Sequence, residues 1–277
     1  MDNNKMNNLF ENNRKAWNEA LEYHQKARGG SLQSGFATSD YTTFDRDCDK
    51  LLIEKINVFG LNGKVIAQLP CNNGRELLSL MRLGATKAVG FDISDTAIAE
   101  ARQLAEISKL NVSFERVNIL EITDIYNGKF DFIYISEGSL QWFPDLNAYF
   151  SVITRLLKCG GRFLIYEIHP FAYFFETGFN LKMQNFNSMP SYFDKGPYNY
   201  PQGIDYVGGV KYQSSECFWF MHKMSDIVCA IMKNGLAIHE FDEYNMEMAN
   251  NEAATLTEKF PLSYIIVGEK MNKCDMK

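Results

Sequence analysis

Two features of the sequence could do chemistry together. The first is the loop Pro70-Cys71-Asn72-Asn73-Gly74, set between a short apolar run and a helical pattern. A loop that opens a helix presents free backbone N–H groups and favours a carboxylate or phosphate. Gly74 lets the backbone approach a ligand closely. The second feature is Asp92, 18 residues beyond Gly74 and at the end of the next apolar run. A carboxylate there can accept hydrogen bonds from both hydroxyls of a ribose. Each feature alone is ordinary in a strand-to-helix connection. At this spacing the two together point to a nucleoside-type ligand.

The elements that must position these residues follow from periodicity. Val65-Ile66-Ala67-Gln68-Leu69 reads as a short buried strand, and Leu77, Leu78, Leu80, Met81 and Leu83 mark the inward face of a helix that Gly84 closes. Ala88 to Phe91 forms a second strand ending at Asp92, and Ser94 can cap the next helix, with Ile98, Ala101, Leu104 and Ala105 on one face. Val112–Val117, Phe130–Ile135 and Arg162–Ile168 are further strands, the last reached from a helix over Asp145–Leu157 through Gly160-Gly161. Strands alternating with helices of this length predict a parallel sheet covered on both faces, with right-handed crossovers. Helices are also predicted over Asn13–Ala27 and Cys48–Phe59, after an Asn-rich start that should fray.

After Pro170 the alternation stops. Residues 171–222 hold Phe171, Tyr173, Phe174, Phe175, Phe179, Phe186, Tyr192, Phe193, Tyr198, Tyr200, Tyr206, Tyr212, Phe218, Trp219 and Phe220, punctuated by Pro190, Pro197 and Pro201. This is too long for a plain loop in a compact domain. It reads as an insertion over one end of the sheet, with a possible extra strand in Val210–Phe220. Its aromatic density suits an apolar lid or a dimer surface. The core resumes with a helix at Ser225–Asn234 and strands at Leu236–Phe241 and Leu262–Val267. The expected organisation is a helical cap (1–60), a ligand-binding core (61–170), the insertion (171–222) and a closing part of the sheet (223–277).

Composition narrows the function classes. At 46% hydrophobic and 22% charged residues, the chain can build a core and is not disordered. No apolar run reaches the roughly 18 residues that span a bilayer. The polar N-terminus lacks a signal-peptide core, so a cytoplasmic location is expected. A net charge of −6 without a basic stripe disfavours a nucleic-acid backbone as the main partner. The six cysteines (Cys48, Cys71, Cys159, Cys217, Cys229, Cys274) form no C-x-x-C pair. The four histidines (His24, His169, His222, His239) are too scattered for a ligand pair, so no protein-bound metal is expected.

The ligand class narrows further at the loop. A pyrophosphate normally needs G-x-G-x-x-G, so that bare backbone can meet it, and P-C-N-N-G-R has one glycine. That disfavours a nicotinamide dinucleotide and leaves S-adenosylmethionine, which has no phosphate. The stretch LPCNNGRELLSLMRLGATKAVGFDIS resembles the class I S-adenosylmethionine-dependent methyltransferases, in a small bacterial branch. So do Leu156–Arg162, Gly138–Leu146 and Glu167–Phe171. The resemblance runs from about residue 14 to 270 and is strongest over 64–171. It implies a Rossmann-like, doubly wound α/β fold of seven strands, mostly parallel, whose last strand is antiparallel. It implies that Leu69, Cys71, Asn72 and Gly74 hold the methionine part and that Asp92 takes the ribose hydroxyls. Ile93 would lie beside the adenine, Asn118 and Ile119 would meet its edge and face, and Ser136 and Glu137 would line the sulfonium. The sequence departs from the family where G-x-G-x-G is P-x-N-x-G, where the acid before the loop is Gln68, and where the Asp at the adenine edge is Asn118. Gln68 cannot offer a carboxylate to the cofactor's ammonium.

Methyl transfer needs the acceptor aligned with the activated carbon, water excluded, and a base only where the acceptor loses a proton. His169, directly after the fifth strand, is the first candidate base or substrate orienter, and Glu137 the second. Glu167 reads as structural, and His222 and His239 carry no motif. Trp142 and Phe143 suit packing or an aromatic wall; Trp17 and His24 could help close the site, and Tyr41 could fold over the cofactor. The expected reaction is O-, N- or C-methylation of a small molecule by a monomer or homodimer, with S-adenosylhomocysteine as product. The alternatives are a catalytically silent cofactor-binding scaffold or regulatory protein, and an NAD(P)-dependent reductase.

Overall fold

Each strand of the central sheet sends alternate side chains to opposite faces, and both faces are apolar. On β1 (Val65–Gln68), Ile66 joins one core layer and Ala67 the other. On β4 (Phe130–Ile135), Phe132 and Tyr134 face the first layer, while Phe130, Ile133 and Ile135 face the second. Strands buried on both sides need helices on both sides. The computed structural model describes residues 3–174, 191–200, 202–246 and 259–272 and shows that arrangement. One face is covered by α3 (Asp49–Phe59), α4 (Arg75–Arg82) and α5 (Asp95–Ser108), through Leu52, Ile56, Leu77, Leu78, Ile98 and Leu104. The other carries α6 (Leu146–Leu156) and α7 (Met224–Lys233), through Phe150, Ile153, Ile227 and Ile231.

The remaining strands of the sheet are β2 (Lys87–Asp92), β3 (Val112–Arg116), β5 (Leu157–Ile168), β8 (Leu236–Tyr244) and β9 (Ser263–Lys270). Their order is β3-β2-β1-β4-β5-β9-β8. The pairs among β1 to β5 are parallel, and β9 runs antiparallel to both its neighbours. The strand order reverses between β1 and β4, which opens a crevice at their carboxyl ends. The described part of the insertion adds a small ladder, β6 (Tyr198–Asn199) antiparallel to β7 (Phe218–Trp219).

The sheet, its mostly parallel sense and its antiparallel last strand match the sequence reading. Several bounds do not. The Asn-rich start is helical rather than frayed, because α1 (Asn3–Arg28) extends back to bury Leu9 and Phe10, and the Phe10 ring lies 6.5 Å from that of Phe143. A short helix, α2 (Ser31–Phe36), lies in the polar stretch between the first two predicted helices; its buried Leu32 and Phe36 anchor it. The fifth strand begins at Leu157, since Phe130 pairs with Leu157 before the register shifts to Phe132 with Arg162. The side chain of Phe174 and residues Phe175, Phe179, Phe186, Pro190, Pro201 and Cys274 lie outside what the structure describes. Among the described residues, no helix is long and apolar enough to cross a membrane.

Candidate functional site

The crevice opens into a cavity of about 1770 Å³ along the carboxyl ends of β1, β2, β3 and β4. A pocket for one small molecule holds roughly 300–1,000 Å³, so there is room for two ligands side by side. Cys71, Asn72, Asp92, Ile93, Asn118, Ile119, Ser136 and Glu137 all line it. Leu69 and Gly74 do not. The left-handed turn at Gly74 (φ 74°) serves the protein's own packing. A Cβ there would sit 2.4 Å from the Phe114 ring and 3.0 Å from Ala101. The missing side chain at Gly74 makes room for Phe114.

Asp92 organises this end. Its Oδ2 accepts the Asn72 N–H at 2.8 Å and its Oδ1 accepts the Ser94 N–H at 2.9 Å. The carboxylate therefore ties the loop after β1 to the turn before α5, and it holds Asn72 in its left-handed conformation (φ 48°). Burial pushes its pKa up, against the pull of these backbone donors. Each oxygen keeps a lone pair for a further donor. Ser94 caps α5 by accepting the Ala97 N–H. Asn118 caps a single helical turn through the Leu120 N–H at 3.2 Å, which fixes its amide at the cavity wall.

Glu137, after β4, has a partner that no motif announced. Arg46 Nη1 donates to both its oxygens, at 2.9 and 3.1 Å, while Arg46 Nη2 and Nε hold Asp49 at 2.8 and 3.0 Å. Burial pushes the Glu137 carboxyl up to about 7; Arg46 opposes the shift and Glu76 adds like charge. The only sequence signal for this contact was the i,i+3 spacing of Arg46 and Asp49 at a helix start.

His169 is placed elsewhere. It does not line the cavity: its Nδ1 accepts the Phe171 N–H at 3.1 Å, and its Nε2 lies 2.8 Å from Glu243 Oε1. Both ring nitrogens are engaged in fixing the turn after β5, and burial lowers its pKa against Glu243. Glu167 is structural, as the sequence suggested. It accepts the N–H groups of Gly138, Ser139, Leu140 and Ile168, which shapes the loop carrying Glu137, and burial raises it to about 7. His222 donates to the Phe143 carbonyl at 2.9 Å. His239 pairs with Glu269 at 3.4 Å on β8.

Much of the cavity's lining is aromatic. Trp17, Tyr41, Trp142, Tyr200, Tyr206 and Trp219 line it, with Trp17 edge-on to Trp142 at 5.3 Å and Tyr200 stacked on Trp219 at 5.6 Å. The helix α1 fastens this wall. Its Asn13 exchanges two hydrogen bonds with the Phe218 backbone, at 2.8 and 2.7 Å, and its Glu19 accepts from the Ser215 N–H at 2.9 Å. On its other side, Asn18 Oδ1 accepts the Ser94 hydroxyl at 2.7 Å, and Arg14 pairs with Asp95. His24 is fully buried, with Nε2 3.2 Å from the Ile204 carbonyl and its ring 4.4 Å from Tyr206; burial lowers its pKa to about 4.

The family described as methyltransferase domain matches residues 62–207. Among characterised relatives, a tRNA U34 carboxymethyltransferase from Aliarcobacter butzleri is 30% identical over 39% of this chain and 34% of its own length. The methyltransferase phqN from Penicillium fellutanum is 32% identical over 42% of this chain and 35% of its own. The chain thus spans about a third of the length of these relatives. A solved S-adenosylmethionine-dependent methyltransferase from Mesorhizobium loti shares the fold, with a TM-score of 0.60 and 18% identity over 82% of this chain and 99% of that one.

Proposed function

We propose that this chain, which belongs to the methyltransferase-domain family, transfers a methyl group from S-adenosylmethionine to a small organic acceptor through oxygen, nitrogen or carbon. The cofactor that goes with the family and the fold is S-adenosylmethionine, and when bound it supplies a methyl group activated by a sulfonium. The side chains on the cavity wall suit it. Asp92 keeps lone pairs for two ribose hydroxyls, Ile93 and Ile119 offer apolar surface to a flat base, and the fixed Asn118 amide sits beside them. The observation that supports the reading is the size and mixed lining of the cavity: polar side chains after the strand ends share one space with a cluster of aromatic rings.

In that space Trp17, Trp142, Tyr200 and Trp219 would hold a flat or apolar acceptor and exclude water, with the described part of the insertion acting as its lid. Glu137 is the group placed to take a proton from the acceptor. With a carboxyl near 7, it is half ionised at neutral pH and fully a base above it. Arg46 would position it, and the acceptor's proton would pass to the oxygen that Arg46 releases.

The test incubates the chain with methyl-labelled S-adenosylmethionine and a cell extract, then separates small molecules from RNA and protein. Label in the small-molecule fraction supports the reading. Label confined to RNA or protein overturns the acceptor class, and cofactor binding without any transfer points to a silent scaffold. Where the acceptor loses its proton to Glu137, the rate rises with pH through about 7 to a plateau, and Glu137→Gln removes that rise.

A further inference from the structure

Glu76, the second residue of α4, stands on the cavity wall with an unusual set of contacts. Its Oε2 accepts from Gln68 Nε2 at 2.8 Å. Among the described residues, its Oε1 forms an ion pair with Arg75 Nη2 at 3.9 Å and accepts no hydrogen bond. Gln68 is buried at the end of β1, and its Nε2 also donates to Ser136 Oγ at 3.1 Å. The other end of that amide, Oε1, is buried with no hydrogen-bond partner among the described residues. One carboxylate oxygen is thus hydrogen-bonded and the other keeps lone pairs for a further donor on the cavity wall, two residues beyond the loop after β1. The buried Gln68 does not itself line the cavity; it fixes the carboxylate that does. A carboxylate held by one oxygen, with the other within reach of a ligand, is a receptor for a compact cation with N–H groups.

We propose that Glu76 receives the α-ammonium of the cofactor's methionyl end, and that Gln68 is a positioning residue that orients the Glu76 carboxylate through its amide. The inference rests on the cofactor assignment above and deepens it. It also explains how the site manages with glutamine before the loop: the acid stands on α4, and the glutamine holds it. An acid at position 68 would set two carboxylates within hydrogen-bonding distance and remove the donor that orients Glu76, so Gln68→Glu should weaken the site rather than repair it.

Calorimetry on the full chain with two probes tests this. S-adenosylhomocysteine carries the ammonium, and 5′-methylthioadenosine lacks the whole amino-acid end. Glu76→Gln should lower affinity for S-adenosylhomocysteine by about tenfold, the scale of one hydrogen bond to a charged group, and leave 5′-methylthioadenosine within about twofold. Gln68→Glu should also weaken S-adenosylhomocysteine alone. Unchanged affinity in Glu76→Gln, equal loss of both probes, or tighter S-adenosylhomocysteine binding in Gln68→Glu each overturns the proposal. A wild-type chain that binds neither probe rejects the cofactor assignment itself, and this inference with it.

Discussion

The strand termini and the aromatic cover line the same cavity but are assembled by different means. At the strand termini, most of the contacts join residues close to one another in sequence or in register, the reach of Arg46 to Glu137 being the exception. Asp92 bonds Asn72 and Ser94, and Glu76 bonds Gln68. These contacts follow once β1 and β2 pair in parallel from Val65 with Lys87 onward. The cover is held by bonds that cross most of the chain: Asn13 to Phe218, Glu19 to Ser215, His24 to Ile204. Those bonds join one helix to otherwise irregular backbone. Because the two are anchored separately, the cover can open without loosening the strand termini.

Substitutions can break or sharpen that contrast. The largest effect should come from Gly74→Ala. It forces a side chain into the left-handed conformation and into the Phe114 ring. Strain of about 1–2 kcal/mol and overpacking of about 1–3 kcal/mol should lower stability in urea unfolding and disturb the loop as a whole. A stable Gly74→Ala protein would mean that the turn is not fixed by packing. Next is Asn13→Ala, which strips two hydrogen bonds from the Phe218 backbone. Exposed to an unpaired carbonyl and N–H, the cover should lose about 1–3 kcal/mol, read as faster amide exchange at residues 198–200 and 217–220. Affinity for S-adenosylhomocysteine should stay within about twofold of wild type; an equal loss of affinity would show that the two regions are coupled after all. The smallest is Ser94→Ala, which removes the α5 cap and the bond to Asn18. A loss of about 0.5–2 kcal/mol is expected, divided between the two regions because Ser94 touches both.

The same contrast explains what could be read from the sequence. The sheet was legible because its strands are short apolar runs set apart by Gly84, Gly160 and Gly235, and because Asp92 and Ser94 mark the end of a strand and the cap of a helix. The residues Cys71, Asn72, Ile93, Asn118, Ile119 and Ser136, which line the cavity, were implied by the family resemblance of the loops that carry them. His169 was singled out by its position after a strand, while the partner that engages it off the cavity wall, Glu243, comes from β8, 74 residues on. Arg46 was missed for the same reason: its contact with Glu137 spans 91 residues, and its one local signal, the i,i+3 spacing to Asp49, says nothing of that partner. Gly74 was legible as a turn, but its cause, a phenylalanine ring from β3, was not.

The most direct test of the central claim is calorimetric titration of S-adenosylhomocysteine into the full chain and into Asp92→Ala. The account predicts one molecule bound per wild-type chain. It predicts affinity lower by at least about tenfold in Asp92→Ala, whose lost carboxylate served both the loop and the ribose. Absence of binding to the wild type, or equal affinity in the two proteins, would contradict it.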